Sequence, residues 1–149
     1  MGDFIPLFTR ASKLMRGAAD AGMSRHGVRV GQNLVIDALA ADDGLTPGAL
    51  AQRLHVTTPT IVKMATRMEA AGLLTRRRDD KDARLVRLHL TDRARSLGSC
   101  IDEELRRLEE RATANLTREE RRHLESALTK IIRNLEQIAP ATHEAAEVD

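Results

Sequence analysis

Residues 45–90 read LTPGALAQRLHVTTPTIVKMATRMEAAGLLTRRRDDKDARLVRLHL, and this stretch decides the fold. Thr46-Pro47 is a helix N-cap followed by proline at the first helical position, where no backbone N–H is needed. Ala49, Leu50 and Leu54 are the apolar positions of a short helix, and His55-Val56 is the turn after it. Thr57 is a second N-cap, and Pro59 fits a first turn. Ile61, Met64, Ala65 and Met68 recur at i, i+3, i+4 and i+7. They predict a helix to about Ala71 that stops at Gly72, a residue suited to a left-handed cap. Thr58, Thr60, Lys63 and Arg67 fall on its opposite face. Leu73–Arg78 and Leu85–Leu90 read as two strands, because Val86, Leu88 and Leu90 alternate with Leu85, Arg87 and His89. The segment Asp79–Ala83 between them is too long for a two-residue turn and is expected to be an exposed, mobile loop. Two short helices, a tight turn and a ribbon make a winged helix-turn-helix.

The flanks read as helices. Asp3 is placed to cap a first helix, with Pro6 in its first turn. Leu7, Phe8, Ala11, Leu14, Met15 and Ala18 recur at helical spacing, with Arg10, Lys13 and Arg16 on the other face, and the helix is expected to end near Gly22. A loop through Ser24–Gly27 leads to a second helix, Val30 to Ala41, before the turn Asp42-Asp43-Gly44. Beyond the ribbon, Thr91 caps a long helix with Leu97, Ile101, Leu105, Leu108 and Ala112 as its stripe. Thr117 and Glu120 form a capping box. The helix they open carries Leu124, Ala127, Leu128, Ile131, Ile132, Leu135 and Ile138 and is expected to stop before Pro140. That stripe is wide for so short a chain. The fold class predicted is mainly α with a small β-wing, in one domain over residues 1–140. It comprises a winged-helix lobe (30–91), a helical dimerisation region (3–22 and 92–138), and a disordered tail (141–149).

Composition narrows the function. A chain of 149 residues buries a core without staples. With no Trp or Tyr and only Phe4 and Phe8 as aromatics, aliphatic side chains must fill that core. A single cysteine, Cys100, excludes an internal disulfide. No apolar run reaches the length of a membrane span and no signal-like segment opens the chain, so no membrane partner and a cytoplasmic location are expected. Net charge is only +2, but it is unevenly spread. Residues 1–56 hold six Lys/Arg against five Asp/Glu, residues 57–91 eight against four, and residues 92–149 ten against thirteen. A positive middle third is what a phosphate backbone attracts.

An α-helix fits the major groove of duplex DNA, and in a helix-turn-helix the N-terminal residues of the second helix meet base edges. Here these are Thr57, Thr58, Pro59, Thr60 and Lys63, with Arg67 a turn further on and suited to phosphate. Thr57 serves first as the cap. Arg76, Arg77, Arg78, Lys81, Arg84 and Arg87 lie on and around the ribbon, and arginine near a ribbon tip suits the negative potential of a minor groove. Asp82 stands two residues before Arg84, spaced to hold its guanidinium by charge-assisted hydrogen bonds. An ordinary surface ion pair, worth under about 1 kcal/mol, has the same spacing.

Leu45 to Ala94 resembles the MarR (multiple antibiotic resistance regulator) family of bacterial transcription factors. The matching pieces are Leu45-Thr46, Ala51-x-x-Leu54, Val56-Thr57, Met68-Glu69-x-x-Gly72-Leu73, and above all Asp82-x-Arg84 followed by Leu88-x-Leu90-Thr91. One departure is Ala94, where members commonly carry glycine. The resemblance implies a homodimer with the first and last helices packed on the partner's. It implies binding to double-stranded DNA at a pseudo-palindromic operator, and release by a small anionic or phenolic effector. Arg84 matches the family's wing-tip arginine and Asp82 its partner. Arg10, Arg16, Arg25 and His26 lie near the expected effector cleft by analogy alone, so no ligand residue is chosen. The family's peroxide sensors place their cysteine in the first helix. Cys100 is not there, and it is expected to be a buried small hydrophobe.

The five histidines show no i, i+4 pair, so no metal site or cofactor is expected, and no catalytic constellation stands out. The expectation is a transcriptional regulator, most often a repressor, and not an enzyme. The alternative is a helical protein-interaction module that uses a winged-helix fold without DNA.

Overall fold

The computed structural model describes residues 2–138. Six helices and two strands follow in the order α1 (Phe4–Ser24), α2 (Gln32–Ala41), α3 (Pro47–Leu54), α4 (Thr58–Ala70), β1 (Leu74–Arg78), β2 (Val86–Leu90), α5 (Asp92–Ala112) and α6 (Arg118–Ile138). The chain divides into two compact units, Met1–Leu108 and Glu109–Asp149, with the boundary inside α5. The expected tail, 141–149, and the stop before Pro140 lie outside the described residues.

In the first unit the core gathers Val35, Ile36 and Leu39 of α2, Leu50 of α3, and Ile61, Ala65 and Met68 of α4 around Leu74, Leu88, Ala94 and Ile101. The α4 stripe read from the sequence is the face that meets there, whereas in α3 the expected Ala49 is exposed and Ala51 is buried with Leu50 instead. Thr46 and Thr57 cap their helices as expected, their hydroxyls accepting from Ala49 N (3.2 Å) and Thr60 N (3.3 Å). His55 closes α3 in the left-handed region at φ 55°, and Gly72 ends the turn after α4 at φ 75°.

β1 and β2 pair antiparallel, Leu74 opposite Leu90 and Arg76 opposite Leu88. The ribbon is not isolated. Leu45 bridges Leu88, whose N–H donates to Leu45 O (2.9 Å), while Gly44 N donates to Leu88 O (3.0 Å). An isolated hairpin is marginal in water, and this third backbone segment anchors its base.

Several boundaries differ from expectation. Asp3 makes no side-chain cap bond, its backbone lying at φ −79°, ψ 26° rather than extended. α1 runs past Gly22 to Ser24, and Gly22 is an approach point within it: a Cβ there would stand 3.2 Å from Glu104 Oε2. α2 starts two residues later than Val30, after Gly31 at φ 96°, whose N–H donates to Asn33 Oδ1 (3.0 Å). Of α1, only Gly22 and Met23 are buried; Leu7, Phe8, Leu14 and Met15 stay exposed. Cys100 is exposed, not buried. The inward line of α5 passes through Ala94, Leu97 and Ile101, and one residue back from Ile101 is a rotation of about 100° off that line.

The second unit holds the end of α5, a turn, and α6. The Thr117–Glu120 capping box forms in both directions, Glu120 N donating to Thr117 Oγ1 (3.1 Å) and Thr117 N to Glu120 Oε2 (2.7 Å). No residue of α6 is buried.

Candidate nucleic-acid interface

α4 buries Ile61, Ala65 and Met68 and leaves its other face to solvent. Thr58, Pro59, Thr60, Lys63 and Arg67 are all exposed, as the sequence pattern placed them. Lys63 and Arg67 make no side-chain hydrogen bond or ion pair with any described residue. Thr57 is half-buried, and its hydroxyl lies 2.8 Å from that of Thr60. Both hydroxyls therefore belong first to the cap. Val62 is a residue the sequence reading passed over. It is 43% exposed on the side of α4 that also carries Thr58 and Thr66, spaced four residues apart. That spacing was the available signal.

At the wing, Arg84 is pinned at its root and open at its end. Its Nε donates to Asp82 Oδ1 (3.1 Å) and its Nη2 to Asp82 Oδ2 (3.2 Å), while its backbone N–H also reaches Oδ1 (3.1 Å). The side chain remains 90% exposed. These bonds, the Arg84 guanidinium first, hold the Asp82 carboxyl below its ordinary pKa. The segment Asp79–Ala83, expected to be mobile, is hydrogen-bonded. Asp79 Oδ2 accepts from Lys81 N (3.1 Å) and Asp82 N (2.9 Å), and Leu85 N donates to Asp82 O (3.0 Å).

The other basic side chains of the wing fall into two kinds. Arg78 and, at the tip, Lys81 are exposed and make no side-chain bond to any described residue. Arg87 turns inward. Its Nε donates to Asp79 Oδ1 (2.6 Å) and its Nη1 to Gly44 O (2.9 Å), and it is the main reason the Asp79 pKa is lowered. Arg76, read from the sequence as a DNA residue, lies on α4: its Nη2 donates to Thr66 Oγ1 (2.8 Å) and Val62 O (3.3 Å). The signal for this was present, since strand alternation puts Arg76 on the face of Leu74 and the buried Leu88.

Near the end of α1, Glu104 meets His26 (3.2 Å) and Arg25 (3.6 Å), with the His26 bond first in lowering its pKa. Arg10 and Arg16 do not join this group. No helix among the described residues is long and apolar enough to cross a membrane, and no group of three or more metal-ligating side chains occurs among them.

A capped helix presenting an open polar face, joined to an arginine-tipped ribbon, defines a winged helix-turn-helix protein. Residues 26–85 match the model of the MarR family, and over this stretch the chain is similar to that family's transcriptional regulators. The HTH-type transcriptional regulator TtmR of Methylorubrum extorquens (strain PA1) is 32% identical over 80 residues, 54% of this chain and 41% of that protein. This chain spans about half the length of the curated relatives it matches. Among solved structures, the S. aureus MepR–DNA complex is similar with a TM-score of 0.80 at 25% identity, covering 90% of this chain and 99% of that one. The transcriptional repressor CouR bound to a 23-mer DNA duplex is similar with a TM-score of 0.76 at 28% identity, covering 85% and 89%.

Proposed function

We propose that the protein is a sequence-specific DNA-binding transcriptional regulator, a homodimeric repressor of a pseudo-palindromic operator that a small anionic or phenolic effector releases. The observation that carries the DNA reading is Arg84. A guanidinium held by two charge-assisted bonds loses little freedom on meeting a second anion, and its Nη1 amino group has no partner among the described residues. Thr58, Pro59, Thr60, Lys63 and Arg67 would enter a major groove, with Thr57 holding the helix start. Arg78, Lys81 and Arg84 would meet backbone and minor groove, with Asp82 orienting Arg84. The MepR and CouR structures, which hold DNA, support this reading, and so does CouR's description as a repressor. The effector rests on the family resemblance alone.

The test starts with selection of bound sites from random duplexes, followed by gel shifts at several salt concentrations. Arg84→Ala should weaken operator binding by on the order of tenfold or more while leaving the fold intact. With one phosphate lost per subunit, it should also flatten the slope of log affinity against log salt by about 1.8 per dimer. Wild-type affinity in that variant would reject the wing's role. Enrichment of no duplex at all would favour the protein-interaction module.

A further inference from the structure

We propose that Arg76 is a positioning residue, setting the pose of the wing on the recognition helix α4, and is not itself one of the wing's DNA contacts. The register makes this a structural position. Residues directly opposite in an antiparallel pair share a face, so Arg76, opposite Leu88, stands on the face that carries the buried Leu74, Leu88 and Leu90. From there its Nη2 donates to the Thr66 hydroxyl (2.8 Å) and to Val62 O (3.3 Å), and its Nη1 lies 3.8 Å from Glu69 Oε1. Thr66 Oγ1 in turn donates to Val62 O (3.0 Å), so one carbonyl, one hydroxyl and one carboxylate on successive turns of α4 receive a single side chain from the wing.

The need for such a brace follows from the architecture. A two-stranded ribbon is marginal alone, and the Leu45 bridge and the Arg87–Gly44 bond secure the α3 side of its base. Among the described residues, no other wing side chain hydrogen-bonds or ion-pairs with α4. Wing and helix must meet one duplex together, so affinity depends on their mutual pose being set before binding. The Arg76 Nη2 is committed to two acceptors on α4, and its Nη1 faces the Glu69 carboxylate, so this edge of the guanidinium is turned to the helix.

This inference rests on the DNA-binding reading, and its test separates the two. Arg76→Met keeps the apolar stem and removes the donors. Operator affinity should fall on the order of tenfold, with the salt slope unchanged, whereas a lost phosphate contact would flatten it by about 1.8 per dimer. Thr66→Val should be strongly non-additive with Arg76→Met, since each removes the same bond. Arg76→Lys should fail to restore affinity, because an ammonium lacks the second nitrogen that faces Glu69 while the first holds Thr66 and Val62. A flattened slope, additivity with Thr66→Val, or full rescue by lysine would each overturn the proposal. Amide exchange without DNA provides the independent arm. Arg76→Met should speed exchange across Leu74–Arg78 and Val86–Leu90 while the melting of the whole fold stays near that of the wild type. Unchanged wing exchange overturns positioning even if wild-type protein binds no duplex, and failure of the wild type to bind would count against the DNA reading alone.

Discussion

Asp43 shows how much one side chain in the α2–α3 turn can gather. Its Oδ1 accepts from Leu90 N (3.0 Å), and its Oδ2 lies 3.0 Å from His89 Nδ1 and 3.1 Å from Arg95 Nη2. Burial works to raise its pKa, but the Leu90, His89 and Arg95 interactions outweigh burial and carry it below the usual value of 3.8. A carboxyl whose folded pKa is depressed adds stability above its unfolded pKa and loses it as pH falls through the folded value. Asp43→Asn should therefore melt at a lower temperature than the wild type near neutral pH, with the gap shrinking as pH drops below about 4. A gap of the same size at pH 3 and pH 7 would show that the carboxylate's charge is not what matters. The sequence marks Asp42-Asp43-Gly44 only as a turn, because the partners of Asp43 lie more than forty residues away. Asp82 and Arg84 were legible for the opposite reason: they are two residues apart, so their bond is a local one. Arg76 and Arg87 sit between these cases. Their residue type was visible, but their direction depended on strand register and on which face met a helix.

The elements themselves were the most readable part, since helix period and cap chemistry act within a few residues. α3 and α4 begin where Thr46 and Thr57 put them, and β1 and β2 fall within one residue of the alternation. What could not be read locally is how elements join. Thr91 was read as the cap of α5, and its hydroxyl does accept from Ala94 N (3.2 Å), but it also donates to Gly72 O (2.7 Å). Beside it Arg93 Nη1 donates to Ala71 O (2.7 Å), so the start of α5 satisfies the carbonyls that end the recognition helix. Thr46, by contrast, makes the cap bond alone. Thr46→Ala should cost about 1 kcal/mol. Thr91→Ala should cost about 2 kcal/mol, because a second bond is lost with the cap, and Thr91→Ser should recover most of it. Equal losses in urea unfolding would show that the Gly72 bond contributes nothing.

At the scale of the whole molecule, the question is what covers the apolar residues that the described part of the chain leaves exposed. Phe4, Ile5, Leu7, Phe8, Leu14 and Met15 of α1 are exposed, as are Leu124, Ile132, Leu135 and Ile138 of α6. The periodicity that predicted both helices marked apolar stripes that the described chain leaves largely exposed. Single exposed aliphatics are ordinary, but two helices with most of their large apolar side chains exposed are not. The proposed homodimer gives these stripes a partner, and Leu135→Glu tests it cleanly. On a monomer the change is a surface substitution on a helix, worth within about 0.5 kcal/mol. In a two-fold interface the same change loses the burial of one leucine, about 2 kcal/mol, and loses it twice. About 4 kcal/mol corresponds to roughly a thousandfold in the dimer dissociation constant. Sedimentation should then show a dimer for the wild type and a monomer for Leu135→Glu at micromolar concentration. Operator binding should fall with it, because two half-sites are read together only by a joined pair. A wild type that sediments as a monomer, or a variant that melts and associates like the wild type, would remove α6 from the interface and leave its stripe to another partner.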